Sequence, residues 1–414
     1  MLPAINQITR NTFRESIRQP IFAILLLTTQ LIILTYPVFT FFVFREQEKL
    51  VMDGALATCL VFGWITAVLC ASHTLTREIE TGTVLLLLSK PVNRAVFLIG
   101  KLLGLLAVLT VFVWVNGLMA LMALRVAKDQ FQLENTVLVL DSLAIVLAVA
   151  IAAVANYVRK VSFCGSFVMW VTILVTVVAV FTWFLPESEP MKGYNWGKPL
   201  MFSGNLARAL VLVLFAVWAM GALAAALSTR LNLVSNLTVG AAVFLLGLMS
   251  DYFYATITAL KLSQVEKLLP YWQVAALPGL ALLWLLAAKT YAQRRNLAVS
   301  RWELHLAHAA LWCTVLGAFV VAWLRRAHLD EPGPVTRFCA LVLFHVKNSI
   351  ADVVHAIIPN WQLLWMADAL TDKKTIPAIY LAHAGVYILL FMGVFVLIAT
   401  LLFARREVGG QMQR

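Results

Sequence analysis

Long apolar runs occupy most of this 414-residue chain. A helix needs about 20 mostly apolar residues to cross a hydrocarbon core of about 30 Å. Hydrophobic residues make up 62% of the sequence and charged residues 13%, whereas soluble domains are roughly 25% charged. These values exclude a soluble globular enzyme and a disordered chain. They predict an all-α integral membrane protein, a polytopic helical bundle of about ten transmembrane helices at 21–44, 54–76, 95–124, 138–158, 162–185, 206–228, 232–254, 271–289, 305–324 and 378–403.

The charged residues predict the orientation of the bundle. With the N-terminus in the cytoplasm, ten spans return the C-terminus to the cytoplasm, and short inner loops carry basic residues beside the helix ends. The whole formal net charge of +12 then faces the anionic cytoplasmic leaflet or an acidic partner. This topology accounts for the basic balance without a nucleic-acid partner. No cleavable signal peptide is expected, because the first apolar run is long enough to span the membrane.

Residues 2–19 have the pattern of an amphipathic helix that precedes the first span. Arg10, Arg14 and Arg18 recur every four residues on one face, and apolar or small polar residues share the other. This pattern predicts an interfacial helix with its basic side outward. The alternative is a plain basic flank that only fixes the orientation.

Residues 77–94 link two long spans on the predicted inner side. Gly82 can end the preceding helix, Thr83 can cap a new one, and Pro91 ends that helix after about two turns. The sequence therefore predicts a short helix with an apolar stripe between charged ends. Such a stripe needs a surface that buries it. That surface is either a docked partner or the headgroups and bundle of the chain itself. The stripe contains Leu85, Leu86, Leu87 and Leu88, and the charged ends contain Glu78, Glu80, Lys90 and Arg94.

The outer side carries a longer segment at 330–377. It begins with a turn rich in proline and glycine and continues with amphipathic pieces around 336–357 and 360–371. Trp361 and Trp365 indicate an interfacial position. We expect helices that lie on the outer leaflet, and no separate folded domain.

No residue pattern predicts catalysis or a bound nucleotide. Gly100-Lys101 is followed by leucine and lacks the upstream glycine of a Walker A motif. His305 and His308 have a spacing that could share a metal, but they are interpreted as interfacial histidines. The five cysteines form no CxxC pair and are interpreted as small buried hydrophobic residues. A non-catalytic membrane subunit without a metal or cofactor of its own is expected.

Charged residues inside the predicted spans are few and lie near the span ends. Arg125, Asp141, Arg208 and Asp251 are placed where they can reach the interface. An ion-coupled carrier usually needs ionisable or broken-helix sites at the middle of the bilayer. The sequence therefore disfavours, without excluding, a secondary transporter.

The run from Arg77 to Thr83, continued by Leu87 to Arg94 and by Gly100-Lys101, resembles the coupling region of ABC-2-type permeases, and most closely the multi-copper-enzyme maturation branch. Two further stretches resemble core spans and the outer segment of that branch. They are Ala225–Leu231 with Phe244–Asp251, and Ile358–Trp361 with Ile376–Pro377, Tyr380 and Phe403–Glu407.

The resemblance implies a transmembrane permease domain over 1–414 that forms a homodimer or heterodimer in a bacterial cytoplasmic membrane. A separate ATPase would bind ATP and Mg²⁺ and drive substrate export. It would dock through the elbow helix at 2–19 and the coupling segment at 77–94. Predicted spans 1, 2, 3, 6, 7 and 10 form the six-helix core, and spans 4–5 and 8–9 form two inserted hairpins. Three alternatives remain: a mechanical transmitter without substrate passage, a secondary transporter, and a lipid-modifying enzyme. The implied contact residues are Glu78, Glu80, Gly82, Thr83, Leu85, Leu86, Leu87, Leu88, Lys90, Pro91 and Arg94, with Arg10, Arg14 and Arg18 on the elbow helix.

Overall fold

The computed structural model describes residues 2–39, 47–80, 94–127, 134–184, 204–259, 334–371 and 374–404. Within these ranges the fold is all-helical, without strands. The chain divides into two compact units, Met1–Leu248 with Pro359–Arg414, and Met249–Ile358.

The first unit contains most of the described helices. A π-helical turn, Ser72–Thr76, follows the helix that ends at Ala71, and a 3₁₀ turn, Gln362–Leu364, precedes the helix that begins at Ala367. Its helices are α1 (Leu2–Ile17), α2 (Pro20–Phe39), α3 (Gln47–Ala71), α4 (Arg77–Glu80), α5 (Arg94–Val126), α6 (Asn135–Arg159), α7 (Phe163–Phe184), α8 (Gly204–Ser228), α9 (Leu233–Leu248), α12 (Ala367–Thr371) and α13 (Ala378–Ala404). The second unit contains α10 (Ser250–Ala259) and α11 (Pro334–Ile357).

Seven described helices are long and apolar enough to cross a membrane, and α9 with α10 makes an eighth if the two form one span. The predicted integral membrane protein is thus confirmed, with eight of the ten predicted spans falling on these helices. The remaining two, 271–289 and 305–324, lie outside the described residues. The seven are Pro20–Phe39, Lys49–Thr76, Ala95–Val126, Asn135–Arg159, Phe163–Phe184, Asn205–Ser228 and Ala378–Phe403.

The core of the first unit forms around α5 and α8, which pack against each other and against α3. Small residues allow this close approach, as is usual between helices in membranes. A Cβ at Gly63 would lie 2.6 Å from Val217 Cγ2, and a Cβ at Gly221 would lie 2.6 Å from Leu109 Cδ1. The tight packing makes α8 the element that joins α3, α5, α9 and α13.

Arg125 is buried in the bundle near the end of its span, and its place at the membrane interface stays a prediction. Its Nε and Nη2 donate to both carboxylate oxygens of Glu134 at 3.1 and 3.0 Å, and Nη1 donates to the Thr182 carbonyl. The pair is almost fully buried. Its hydrogen bonds connect the end of α5 with the start of α6 and with the end of α7. Asp141 of α6 is also buried, with 1% exposure.

Trp361 is buried in the protein with 1% exposure, and its position at the membrane interface stays a prediction. It packs against Gly247 near the end of α9, where any larger residue would collide with the indole and with the Pro359 carbonyl. The Gln362 side chain donates to the Leu248 carbonyl at 2.7 Å. The residues around Trp361, which belong to the predicted outer segment, therefore pack against the end of α9.

The second unit pairs α10 with α11 through polar contacts. Tyr254 donates to Asp352 at 2.9 Å, and Lys347 donates to the Ile257 carbonyl at 2.6 Å. The Tyr254 ring stacks on His355 with centroids 4.4 Å apart. The first predicted amphipathic piece, 336–357, coincides with α11, whereas its place on the outer leaflet stays a prediction.

Candidate functional site at the flanks of the coupling segment

The coupling segment predicted at 77–94 is described only at its two flanks. Glu78 and Glu80 lie in α4, and Arg94 is the first residue of α5. The side chains of Glu80 and Arg94 are outside the described part of the chain. So are all of residues 81–93, with the predicted contacts Gly82, Thr83, Leu85, Leu86, Leu87, Leu88, Lys90 and Pro91.

A buried lysine joins the two flanks. Lys101, in the second turn of α5, donates from Nζ to Glu78 Oε1 at 2.6 Å. Its ammonium also lies 3.7 Å from Glu15 Oε2 of α1. The Lys101 side chain is 5% exposed, so this charge depends on its protein partners. Glu15, Glu78 and Lys101, here called the base cluster, thus connect the elbow helix with both flanks of the coupling segment.

Burial governs the electrostatics of the base cluster. Burial raises the pKa of Glu78 above its ordinary value, and the neighbouring Lys101 ammonium lowers that pKa only in part. The Lys101 ammonium therefore offsets only part of the desolvation of the Glu78 carboxyl group. Lys101 also lies over the Phe97 ring, 5.8 Å from its centroid, which adds a cation–π contact.

The elbow helix α1 packs along the start of α5 through two glycines. A Cβ at Gly100 would lie 2.8 Å from Ile8 Cγ2, and a Cβ at Gly104 would lie 2.6 Å from Thr12 Cβ. Thr9 donates to the Gly100 carbonyl at 3.2 Å. The spacing Gly-x-x-x-Gly places both glycines on one face of α5, which lets the two backbones approach closely.

The two faces of α1 match those predicted from the sequence. Arg10, Arg14 and Arg18 are exposed, whereas Thr12 and Ser16 on the opposite face are buried. The buried face packs on α5, and Arg18 also passes α7, where a Cβ at Gly165 would lie 3.1 Å from Arg18 Cγ. That α1 lies at a membrane interface stays a prediction.

A second set of contacts fixes the end of α3 beside the base cluster. Arg77 donates to His73 Nε2 at 2.9 Å. Gln19 Nε2 lies 2.6 Å from His73 Nδ1 on the other side of the ring. Gln19 directly precedes α2, so this chain of contacts links the start of α2 to the π turn.

The π turn Ser72–Thr76 is hydrogen-bonded to the connection between α8 and α9. Thr76 Oγ1 donates to the carbonyls of Ser228 and Leu231 at 3.1 and 3.3 Å. Asn236 Nδ2 lies within hydrogen-bond distance of Ser72 Oγ, at 3.0 Å, and of Ser228 Oγ, at 2.7 Å. The side chains of these hydrogen-bonding residues are buried. Single π turns inside α-helices occur frequently at functional sites.

Lys101, Glu15, His73 and Asn236 have no role predicted from the sequence. The sequence does contain a signal for Lys101. A cation seven residues after Arg94, within an apolar run, needs a counter-ion. Glu78 and Glu15 are both predicted on the same side of the membrane. His73 and Asn236 carry no comparable signal, because single polar residues near span ends are common.

Residues 7–188 match the model of the ABC-2 family transporter protein family. This region contains most of α1, both flanks of the coupling segment and the α6–α7 hairpin. No curated protein matches the chain. The match supports the resemblance to ABC-2-type permeases, and the protein is a multi-pass membrane protein that is similar to this family over residues 7–188.

Proposed function

We propose that this chain is the permease subunit of an ABC transporter and couples ATP hydrolysis by a separate subunit to substrate export. The family match supports a membrane permease, and membrane subunits of this family are in general non-catalytic. ATP and Mg²⁺ belong to the partner ATPase in this proposal. Two permease chains, identical or different, form the complete transporter in a bacterial cytoplasmic membrane.

The base cluster is the observation that supports this proposal best. The two helices on either side of residues 81–93, α4 and α5, are joined by the ion pair of Glu78 and Lys101 at 2.6 Å. The elbow helix is attached to the same lysine through Glu15. A partner that moves the segment therefore moves α1, α3 and α5 as one group. Helices that move together in this way can transmit a conformational change.

The π turn offers the next step of transmission. Thr76 binds the α8 end directly, and α8 packs against α3, α5, α9 and α13. A shift of the α3 end therefore reaches the rest of the bundle through α8. In the proposed complex Leu85 to Leu88 fill an apolar groove of the ATPase, and Glu80, Lys90 and Arg94 pair with charges on its rim. Glu78, which is predicted to pair there as well, instead accepts a hydrogen bond from Lys101 of the same chain.

A pull-down with the co-expressed ATP-binding-cassette ATPase tests the proposal. We expect Leu86→Asp combined with Leu87→Asp to abolish association and stimulation of ATP hydrolysis, because two carboxylates cannot enter an apolar groove. The matched control is Tyr157→Asp with Val158→Asp, an exposed apolar pair at the end of α6. If the coupling-segment variant binds and stimulates the ATPase like the control, the docking assignment is wrong.

A mechanical transmitter without substrate passage is the second candidate. The outer end of α8 holds the segment before α13: Arg208 donates to the Ile376 carbonyl at 2.6 Å, and the Ile376 amide donates to Asn205 Oδ1 at 3.3 Å. One helix thus connects the π turn with the opposite end of the first unit. ATP hydrolysis by the reconstituted complex without movement of any solute would favour this function.

A further inference from the structure

The turn between α6 and α7 lies beside the end of the elbow helix. A Cβ placed on Gly165, in the first turn of α7, would lie 2.9 Å from Ser162 Oγ and 3.1 Å from Arg18 Cγ. The Ser162 and Arg18 side chains therefore meet at one point, although Arg18 directly follows α1. Arg18 Nε is 3.9 Å from the same position, so the guanidinium group lies next to this turn.

Hydrogen bonds close the turn between α6 and α7. The Lys160 amide donates to the Asn156 carbonyl at 3.1 Å, and Asn156 Nδ2 donates to the Val161 carbonyl at 2.8 Å. Lys160 has a positive φ of 54°, which is typical of the residue that ends a helix. The backbone of the turn thus has a defined position beside Arg18.

Three cations come together at this turn, and we call them the basic turn: Arg18, Arg159 and Lys160. Arg159 and Lys160 precede Ser162 by three and two residues, so their long side chains reach the space that the Arg18 side chain borders. All three are exposed. In the described part of the chain, none of them forms an ion pair.

The acidic residues nearby do not neutralise the basic turn. Residues 156–166 contain no aspartate or glutamate, and the one acidic residue of α1, Glu15, already lies 3.7 Å from the buried Lys101. By contrast, the buried cations Lys101 and Arg125 each have a carboxylate partner. The described residues therefore leave the charge of the basic turn available to an anionic ligand.

The basic turn lies at the ends of three spans. Arg159 is the last residue of one span and Phe163 is the first residue of the next, while Arg18 precedes the first span, which begins at Pro20. Because Arg18 touches the first turn of α7, these span ends lie at one face of the membrane. Lipid head groups border the hydrocarbon core at this level, so the cations stand beside lipid phosphates.

Exposed apolar side chains flank these cations. Val161 is 43% exposed and Phe163 is 39% exposed. A surface that joins basic and apolar groups at the end of a span fits a phospholipid, which offers a phosphate and acyl chains together. A soluble acidic protein offers the charge, but it reaches these apolar side chains only by entering the membrane interface.

We propose that the basic turn binds the phosphate of an anionic phospholipid in the leaflet next to α1. The two guanidinium groups can each donate a pair of hydrogen bonds to phosphate oxygens, and the Lys160 ammonium adds a third positive charge. A lipid bound there connects the elbow helix with the α6–α7 hairpin. The inference requires that the chain spans a membrane and is independent of ATPase docking.

Fluorescence quenching by labelled lipids tests this site. The full chain, with its five native cysteines replaced by alanine, carries a bimane on Ser162→Cys, since Ser162 is exposed and borders the basic turn. It is reconstituted in phosphatidylcholine nanodiscs that contain a small fraction of labelled phosphatidylglycerol or labelled phosphatidylcholine. The label is a nitroxide near the glycerol end of one acyl chain. The ratio of quenching by the two lipids measures the preference for the anionic lipid at this turn.

We expect phosphatidylglycerol to be preferred at least about tenfold. Arg18→Gln and Arg159→Gln should each lower that preference about fivefold, the effect of one basic side chain at an anionic membrane surface, and Arg159→Lys should keep most of it. Arg10→Gln is the matched control. Arg10 is also an exposed arginine, but it lies about 12 Å further along α1, beyond the Debye length of about 8 Å, so its loss should leave the preference unchanged.

Equal quenching by the two lipids would overturn the proposal. An equal loss of preference in Arg10→Gln and Arg18→Gln would overturn it as well, because the basic residues would then act only through the general surface charge that orients the chain. Release of phosphatidylglycerol from this turn by the added ATPase would assign the surface to a protein partner in place of a lipid.

Discussion

Lys101 and Glu78 form an ion pair at 2.6 Å across the base of the coupling segment. Twenty-three residues separate the two in sequence, and the segment predicted to contact the ATPase lies between them. The pair joins the two helices that flank residues 81–93, α4 and α5, into one mechanical unit. The Glu15 carboxylate, 3.7 Å from the same ammonium, adds the elbow helix to that unit.

Lys101→Met should destabilise the protein by about 3 kcal/mol, because it leaves the Glu78 carboxylate buried without its cation. The combined variant Lys101→Met with Glu78→Gln should lose less stability than Lys101→Met alone. Unfolding of the four members of this double-mutant cycle measures the coupling between the residues. Lys160→Met is the control, since Lys160 is exposed and its loss should stay within about 0.5 kcal/mol. Additive effects of the two substitutions would contradict the ion pair.

The raised pKa of Glu78 predicts how stability depends on pH. Because the folded-state pKa lies above the ordinary value, the folded protein binds the proton more tightly than the unfolded chain does. The proton on Glu78 therefore stabilises the folded protein. This stabilisation is complete below the ordinary pKa of the carboxyl group and is lost as pH rises through its raised pKa. Thermal midpoints should therefore fall with pH in this window for the wild type. Glu78→Gln should remove that part of the slope, and parallel curves for the two proteins would refute the prediction.

Gly104→Ala should loosen the elbow helix from α5. The added Cβ would lie 2.6 Å from Thr12 Cβ, and overpacking of this kind costs about 1–3 kcal/mol. Gly393→Ala provides the control, because no described atom outside its own helix turn lies within 4 Å of a Cβ there. Limited proteolysis after Arg10 or Arg14 should be faster in Gly104→Ala only. Equal cleavage of both variants would show that α1 does not depend on this contact.

The membrane-spanning helices and the two faces of α1 could be predicted from the sequence, because apolar length and the 3.6-residue period are local properties. The surface that covers the buried face of α1 could not be predicted from the sequence. The role of Gly100 and Gly104 is evident only when the helix that packs against them is known. The same holds for Lys101, whose counter-ions come from two other helices. The burial of Trp361 could not be predicted either, because it depends on the small Gly247 in another part of the chain.

Asn236→Leu should disconnect the π turn from α8. Asn236 Nδ2 approaches Ser72 and Ser228 in a fully buried position, and such contacts contribute about 1–2 kcal/mol in membrane bundles. Stimulation of the ATPase should fall while ATPase binding persists, because the substitution lies behind the docking surface. Thr238→Val on the same helix is the control, since this exposed hydroxyl bonds only to its own helix, at the Val234 carbonyl. Loss of ATPase binding in Asn236→Leu would contradict a role in transmission.

Gly247→Ala should release the segment around Trp361 from the first unit. The methyl group would occupy the space that the Trp361 indole and the Pro359 carbonyl now fill, so the segment must move outward. The Gln362 contact with the Leu248 carbonyl would break with it. Cysteine substitution at Leu363, which is 45% exposed, serves as a reference for labelling from outside, and Leu364→Cys, which is 2% exposed, reports the release. Labelling of Leu364→Cys should rise to the level of Leu363→Cys only when Gly247→Ala is present, and an unchanged rate would show that the segment is held by other contacts.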